Sequence, residues 1–232
     1  MTSPPFRAGQ INLPLDLPAS YSRADFVPAP CNAHALQMIT QGGWPAGKLV
    51  LTGPEGAGKT HLLHVWAAEH DAALLRAQHL DGADLPALAE RGNVALDDAH
   101  QIAGQPELEA ALFHLHNLLA ASGGQVLLGA RGPVRDWGLR LPDLASRLQA
   151  AAHVGLAAPD DALLAAVLTK LFADRQVSVP DTLIPYLLPR MERSLGGALH
   201  IVALLDAAAL ARKKPISRNL AAEILNGLRD PE

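Results

Sequence analysis

The sequence predicts an α/β domain built on a parallel sheet, followed by a small all-helical domain. Five short apolar runs alternate with helical segments as far as residue 158, a pattern typical of a parallel sheet covered on both faces. After Pro159 only helical patterns remain. We therefore expect a tail at residues 1–20, an α/β domain at 21–158 and a helical domain at 159–232.

The individual elements follow from the length and period of the apolar runs. Short continuous runs predict buried strands, and stretches with apolar residues every three or four positions predict helices. The predicted strands are residues 48–52, 72–77, 93–98, 125–130 and 153–158. The predicted helices are residues 32–40, 60–70, 106–122, 160–175, 181–191, 194–214 and 217–228. The apolar face of the last helix would consist of Ile216, Leu220, Ile224 and Leu228.

Composition limits the class of protein. Hydrophobic residues make up 49% of the 232 residues, enough for a sizeable core, and the formal net charge is −4. Cys31 is the single cysteine, so disulfides cannot hold the fold and a reducing compartment is expected. The apolar runs fall short of the roughly 18 residues that span a bilayer, and the first residues lack the features of a signal peptide. We expect a soluble cytoplasmic protein without a membrane partner.

A complete phosphate-loop motif stands between the first predicted strand and the helix that follows. The pattern G-x-x-x-x-G-K-[ST] is matched by Gly53, Pro54, Glu55, Gly56, Ala57, Gly58, Lys59 and Thr60. Backbone N–H groups of such a loop wrap a phosphate, the lysine reaches the β- and γ-phosphates, and the Thr60 hydroxyl would bind Mg²⁺. The sequence therefore predicts a site for ADP or ATP with Mg²⁺. We include His61, the next residue, among the nucleotide-binding candidates.

Two acids end the third predicted strand. Asp97 and Asp98 follow Val94-Ala95-Leu96. Beside a phosphate loop, Asp97 would hold Mg²⁺ through water and Asp98 would polarise the attacking water. The alternative is that the two acids only cap the following turn.

Several segments resemble one family of nucleotide-binding proteins. The resemblance is to the AAA+ domain of the bacterial replication initiator DnaA, and it extends over most of residues 21–228. The segment "LPDLASRL" is most similar to the Hda type of short DnaA homologue, which inactivates the initiator. The segments that carry the resemblance are "GKTHLLHVWA" (58–67), "VALDDAHQIAG" (94–104), "ALFHLHNLL" (111–119), "GLRLPDLASRL" (138–148) and "RSLGGAL" (193–199).

This resemblance implies an AAA+ core with a helical lid and assigns two arginines. Arg147 matches the arginine finger, which points at the γ-phosphate held by a neighbouring subunit. On its sequence context alone, Arg147 would be an ordinary surface arginine in an ion pair. Arg193 matches the lid arginine that contacts the nucleotide phosphates.

One position departs from the family. The fourth strand there ends in polar residues that orient the hydrolytic water, whereas this chain has Gly129 and Ala130. Because orienting the nucleophile is a large share of phosphoryl-transfer catalysis, we expect slow intrinsic hydrolysis. Arg131, the next residue, is a candidate substitute for the missing group.

The tail carries a second motif. The segment "QINLPL" resembles the peptides that bind the replication sliding clamp. An extended peptide with a proline fits a preformed apolar groove at a low entropy cost. The alternative is that the leucines pack on the protein itself or in a dimer interface. The candidate clamp-binding residues are Gln10, Ile11, Leu13, Pro14 and Leu15.

Together these features predict a regulator of replication initiation. It would bind nucleotide, dock on the β sliding clamp of DNA polymerase III and present Arg147 to ATP-bound DnaA, with a homodimer as a further possible pairing. Only 18 residues follow Lys214, so we expect no helix-turn-helix domain. The basic run Arg212-Lys213-Lys214 is expected to interact with helix carbonyls rather than with DNA. The alternatives are a helicase loader or other DNA remodeller, and a small-molecule kinase.

Overall fold

A computed structural model of the chain describes residues 21–229, and the side chains of residues 21–228. The predicted tail at 1–20 lies outside the described residues. So do all the candidate clamp-binding positions: Gln10, Ile11, Leu13, Pro14 and Leu15.

The α/β part is a five-stranded sheet in the order β2-β3-β4-β1-β5, in which every neighbouring pair is parallel. This confirms the predicted parallel sheet. In this order β4 is the central strand and lies between β1 and β3, so the carboxyl ends of these three strands meet at one edge. The strands are β1 Lys48–Thr52, β2 Ala73–Arg76, β3 Asn93–Asp97, β4 Gln125–Ala130 and β5 Ala152–Gly155.

The helices cover both faces of the sheet and then form the lid. Two were not predicted, α3 and α5, because each is shorter than the stretch over which a period can be recognised. The predicted helix at 181–191 is much shorter, since Pro189 cannot donate a hydrogen bond to continue it. The helices are α1 Ala33–Gln41, α2 Lys59–Glu69, α3 Leu85–Glu90, α4 Pro106–Ser122, α5 Pro142–Gln149, α6 Asp161–Asp174, α7 Leu183–Leu187, α8 Leu195–Arg212 and α9 Arg218–Arg229.

Alternate residues of β1, an interior strand, enter two separate cores. Val50 packs into one core, with residues of α4 and α5, and Leu49 and Leu51 pack into the other, with residues of α1 and α2. All three side chains are fully buried. Burial on both faces explains why the strand is a continuous apolar run rather than an alternating one.

The lid has its own apolar core, formed by α6 to α9. Ile216 and Leu220 are buried there as predicted, but Leu225 is buried instead of Leu228, which is 49% exposed. A strict four-residue repeat drifts around a helix with 3.6 residues per turn, so the buried face moves to Leu225.

Helix α8 is long and apolar enough, by length and composition alone, to cross a membrane. The expectation that every apolar run falls short of this length is wrong for α8. Its 18 residues have a mean hydropathy of 1.5. Ile201, Val202 and Leu205 are buried in the lid core, but the buried share of the helix as a whole is 28%. One helix of this length and composition is weak evidence for a span. Asp206 on the same helix lies 3.8 Å from the Arg175 guanidinium.

Candidate nucleotide site and arginine finger

The phosphate loop leaves β1 at the carboxyl edge of the sheet and runs into α2. Gly58, immediately before α2, has φ 98°, a left-handed conformation that favours glycine. The Lys59 ammonium donates to the carbonyl oxygens of Gly53 at 2.9 Å and Pro54 at 2.7 Å. Burial lowers the pKa of Lys59, and the charge of Asp97 opposes this shift. A buried ammonium is thus held inside the loop, where a phosphate oxygen would need it.

The loop and β3 meet through a direct hydrogen bond, although β4 separates their strands. The Thr60 hydroxyl donates to Asp97 Oδ2 at 2.6 Å, and the N–H of Asp98 donates to Asp97 Oδ1 at 2.9 Å. A hydroxyl and a carboxylate this close are oxygen ligands of the kind that Mg²⁺ prefers. Among residues 21–229 no group of three or more His, Cys, Asp and Glu side chains forms another candidate metal site.

Steric crowding explains why a glycine, Gly129, stands near the end of β4. A β-carbon at Gly129 would lie 2.6 Å from Leu63 Cδ1 and 3.0 Å from Asp97 Oδ1. The space that a polar side chain would need is therefore filled by α2 and by the carboxylate itself. Ala130, the next residue, is fully buried.

Asp98 begins the turn after β3 with a left-handed backbone, at φ 53°. Its charge acts on Lys59 and on His100. Burial lowers the pKa of His100, with Asp98 opposing, and His100 Nδ1 accepts the N–H of Arg131 at 3.4 Å. Asp98 therefore lies in the same cluster as the phosphate-loop lysine, which the sequence had predicted only from their order.

Arg131 reaches the phosphate loop from the end of β4. Its guanidinium lies 2.9 Å from the Glu55 carboxylate, and both side chains are more than half exposed. The candidate substitute for the missing polar group is thus paired with a loop residue at the mouth of the site.

The lid contacts the loop directly. The N–H of Leu195, the first residue of α8, donates to the Gly56 carbonyl at 3.0 Å. A β-carbon at Gly56 would come within 2.3 Å of Ser194 Cβ, so no larger residue fits. Arg193 precedes this contact by one residue, and its guanidinium pairs with Asp161 at 2.7 Å.

The imidazole of His61 lies on the side of α2 that faces the start of the described chain. His61 Nε2 is 3.0 Å from the Ser22 carbonyl, and the ring makes edge contacts with Tyr21 and Phe26. Tyr21 also stacks on His64, with 4.3 Å between ring centroids. Sequence reasoning missed this cluster, although two histidines three residues apart on one helix were its signal. The contribution of His61 to nucleotide binding stays a prediction.

Arg147 lies at the opposite, amino edge of the sheet. Its guanidinium carbon is 5.3 Å from the centroid of the Phe113 ring, and it makes no ion pair with any residue in the described range. Its charge acts on Lys48, the first residue of β1. The five residues of β1, at about 3.3 Å each, put roughly 16 Å between this edge and the chain's own phosphate loop.

A buried carboxylate fixes the start of α5, the helix that carries Arg147. Glu109 on α4 is 1% exposed and accepts the backbone N–H groups of Gly104, Arg140 and Leu141 at 2.7–3.1 Å. Since Leu141 immediately precedes α5, Glu109 sets where Arg147 emerges.

No protein-family model matches the chain. An uncharacterized protein of Haemophilus influenzae is 30% identical over 183 residues, which cover 75% of this chain and 79% of that protein.

Solved structures share the fold at low sequence identity. Domain III of the Thermotoga maritima replication initiator DnaA has a TM-score of 0.77 at 19% identity, over 91% of this chain and 98% of that one. The Thermotoga maritima branch-migration motor RuvB has a TM-score of 0.66 at 18% identity, over 89% and 72%. AMPPCP-bound DnaA from Aquifex aeolicus has a TM-score of 0.67 at 17% identity, over 78% and 63%. The chain has the AAA+ fold of these proteins, with a helical lid, and it belongs to the same family as the Haemophilus influenzae protein.

Proposed function

We propose that the chain is a nucleotide-binding regulator of replication initiation that supplies Arg147 to ATP bound by DnaA. The observation that carries the proposal is the position of Arg147. Its guanidinium lies on the Phe113 ring at the amino edge of the sheet, away from the chain's own phosphate loop, and no described carboxylate neutralises it. An arginine so placed serves a neighbouring subunit rather than its own.

The chain's own nucleotide would be ADP or ATP. The geometry of Lys59, Thr60 and Asp97 supports this, and so does the likeness to DnaA, one structure of which holds AMPPCP. Mg²⁺, when bound, neutralises phosphate charge. Thr60 and Asp97 would hold it, and Arg193 would reach the phosphates after leaving Asp161.

Intrinsic hydrolysis would be slow. Asp98 would hold and polarise the attacking water, but Gly129 and Ala130 provide no second polar group to orient it. Arg147, by contrast, would stabilise the charge that develops on the γ-phosphate of the partner's ATP. A finger of this kind is worth about 10³–10⁵ in rate.

The tail would bring the regulator to replicating DNA in the cytoplasm. Gln10, Ile11, Leu13, Pro14 and Leu15 would bind the β sliding clamp, as an extended peptide in an apolar groove. The ATP on DnaA would then be hydrolysed where synthesis is under way.

A second candidate is a free-standing remodeller of DNA complexes. The specific observation that favours it is the likeness to RuvB, which covers 89% of this chain. A remodeller needs rapid turnover of its own nucleotide, whereas the proposed regulator does not.

The deciding experiment measures hydrolysis of DnaA-bound ATP with clamp loaded on DNA. We expect stimulation by the wild type and a loss of about 10³ or more in Arg147→Ala. Arg140→Ala, an exposed arginine just before the same helix, is the matched control and should keep full stimulation. Stimulation by Arg147→Ala equal to the wild type would exclude the finger.

The same assay tests the tail. Gln10→Ala combined with Leu13→Ala should abolish stimulation at low concentration and also abolish binding to the isolated clamp. Unchanged clamp binding would contradict the tail proposal without affecting the finger. Fast turnover by the purified chain alone would favour the remodeller.

A further inference from the structure

The lysines and arginines of the lid fall into two groups. The first group forms ion pairs with carboxylates no more than 3.8 Å away, and its members are Lys170, Arg175, Arg193 and Arg212. Within residues 159–228 the remaining bases form no ion pair, and they are Arg190, Lys213, Lys214 and Arg218. All four are exposed. Arg190 follows α7, whereas Lys213 and Lys214 lie in the turn between α8 and α9, and Arg218 begins α9.

Two of these bases are held on one aromatic ring. The guanidinium carbons of Arg190 and Arg218 lie 4.2 and 4.6 Å from the centroid of the Tyr186 ring. Arg190 Nη1 also donates to the Tyr186 carbonyl at 3.1 Å. Stacking restricts both side chains in advance and leaves their remaining in-plane N–H groups for an external acceptor.

The side chains of Lys213 and Lys214, in the turn between α8 and α9, are also available to bind an external acceptor. We expected the basic run at 212–214 to satisfy helix carbonyls, but only the backbone does so. The N–H groups of Lys213 and Lys214 donate to Leu210 and Ala209. Neither lysine side chain makes a hydrogen bond or ion pair within the described part of the chain. The acidic residues nearest in sequence are Asp206 and Glu223, and they already pair with Arg175 and Arg212.

We propose that this surface, named the Tyr186 patch and formed by Tyr186, Arg190, Lys213, Lys214 and Arg218, binds the sugar–phosphate backbone of DNA. Several separated cations without carboxylate partners match a chain of phosphates, and contacts of Arg and Lys with phosphates dominate non-specific DNA binding. Protein interfaces, in contrast, are depleted in lysine at their centre.

The patch has little that would read a base. Two guanidinium groups already lie over the Tyr186 ring, and they compete with a base for stacking on it. Binding is therefore independent of sequence and governed by salt. DNA binding by the Tyr186 patch would add to the proposed function a direct contact with DNA that requires neither DnaA nor the clamp.

The test is fluorescence anisotropy with the full chain and a labelled duplex of about 30 base pairs, at salt concentrations from about 50 to 200 mM. Arg190→Ala combined with Arg218→Ala should weaken binding more than about tenfold and lower the slope of log K against log salt by about 1.8. Arg76→Ala, an exposed arginine on the sheet without an ion pair, is the control and should change neither quantity by more than the loss of one charge.

Further variants separate stacking from charge. Arg190→Lys combined with Arg218→Lys keeps both charges but removes the planar set of N–H donors of the guanidinium. The DNA affinity of this variant should therefore lie between those of the wild type and the alanine pair. Thermal unfolding must show that each variant is folded. Equal DNA affinity of the wild type and the alanine pair would overturn the proposal. So would displacement of DNA by polyglutamate at an equal concentration of charge, since the patch would then be a surface for acidic proteins.

Discussion

The Lys48 ammonium lies 2.9 Å from Nε2 of the His116 imidazole, within range of the charge of Arg147. Lys48 is 8% and His116 2% exposed, and His116 Nδ1 has no hydrogen-bond partner in the described structure. Burial lowers the pKa of Lys48, and the charge of Arg147 lowers it further. Buried basic groups without a carboxylate partner lower the free energy of unfolding. An anion that bound at this amino edge of the sheet would offset that electrostatic cost.

The first prediction follows from that cost. Because the unfolded chain binds the Lys48 proton more tightly, charged Lys48 destabilises the fold at every pH below its folded pKa. Replacing both partners, Lys48→Met with His116→Leu, should raise the free energy of unfolding by about 1 kcal/mol in urea. Stimulation of hydrolysis on DnaA should nevertheless fall, because the change removes the positive charge that acts on Arg147. A less stable variant with full stimulation would contradict this account.

The second prediction concerns acid. Burial lowers the pKa of His64, His100 and His116. Between the folded values and about 6.5 the unfolded chain holds more protons, so stability is complete above that range and is lost as the pH falls through it. The urea midpoint should therefore be lower at about pH 5.5 than at about pH 8, and His116→Gln should reduce the difference. His79→Gln, at an exposed position, is the control for the change from histidine to glutamine itself.

Long apolar periods made much of this fold predictable. Helix α4 was predicted at residues 106–122 from its helical pattern, and the structure has those bounds, with Pro106 as its first residue and Gly123 at its C-cap. The Lys48–His116 pair could not be predicted in this way. Its members are 68 residues apart, and no local pattern reports on a contact made by the sheet.

The nucleotide site shows the same limit. The sequence located Thr60 and Asp97 by motif and order, but their 2.6 Å hydrogen bond depends on how β4 spaces β1 from β3. The sequence also showed that β4 has no polar side chain at Gly129, but it did not show why. That reason is the position of Leu63, 66 residues earlier on another element.

The third prediction tests the metal ligands. Asp97→Asn keeps the size of the side chain and removes the charge that would hold Mg²⁺. Nucleotide should still bind without metal, but the gain in affinity on adding Mg²⁺ should fall about tenfold or more, as measured by titration calorimetry. Lys59→Met should instead weaken binding with and without Mg²⁺. If Asp97→Asn keeps the full response to Mg²⁺, Asp97 is not a ligand.

The fourth prediction tests the packing around the end of β4. Gly129→Ala should destabilise the fold by about 1–3 kcal/mol, because the new methyl group overlaps Leu63. Adding Leu63→Ala makes room for it, so the two changes should cost less together than the sum of the two alone. Additive losses in a double-mutant cycle would show that the two positions do not share the space.

The final prediction tests whether the lid helps to hold the nucleotide through Gly56. This residue has φ 70°, and a β-carbon there would come within 2.3 Å of Ser194 Cβ. Gly56→Ala should push α8 away from the loop and break the Leu195 to Gly56 hydrogen bond, lowering nucleotide affinity about tenfold or more. Gly82→Ala, where nothing lies within 4 Å of the added carbon, is the matched control. Ser194→Gly removes the overlap but not the backbone strain, so combining it with Gly56→Ala should restore only part of the affinity. Full affinity in Gly56→Ala alone would mean that the lid contact is not needed for binding.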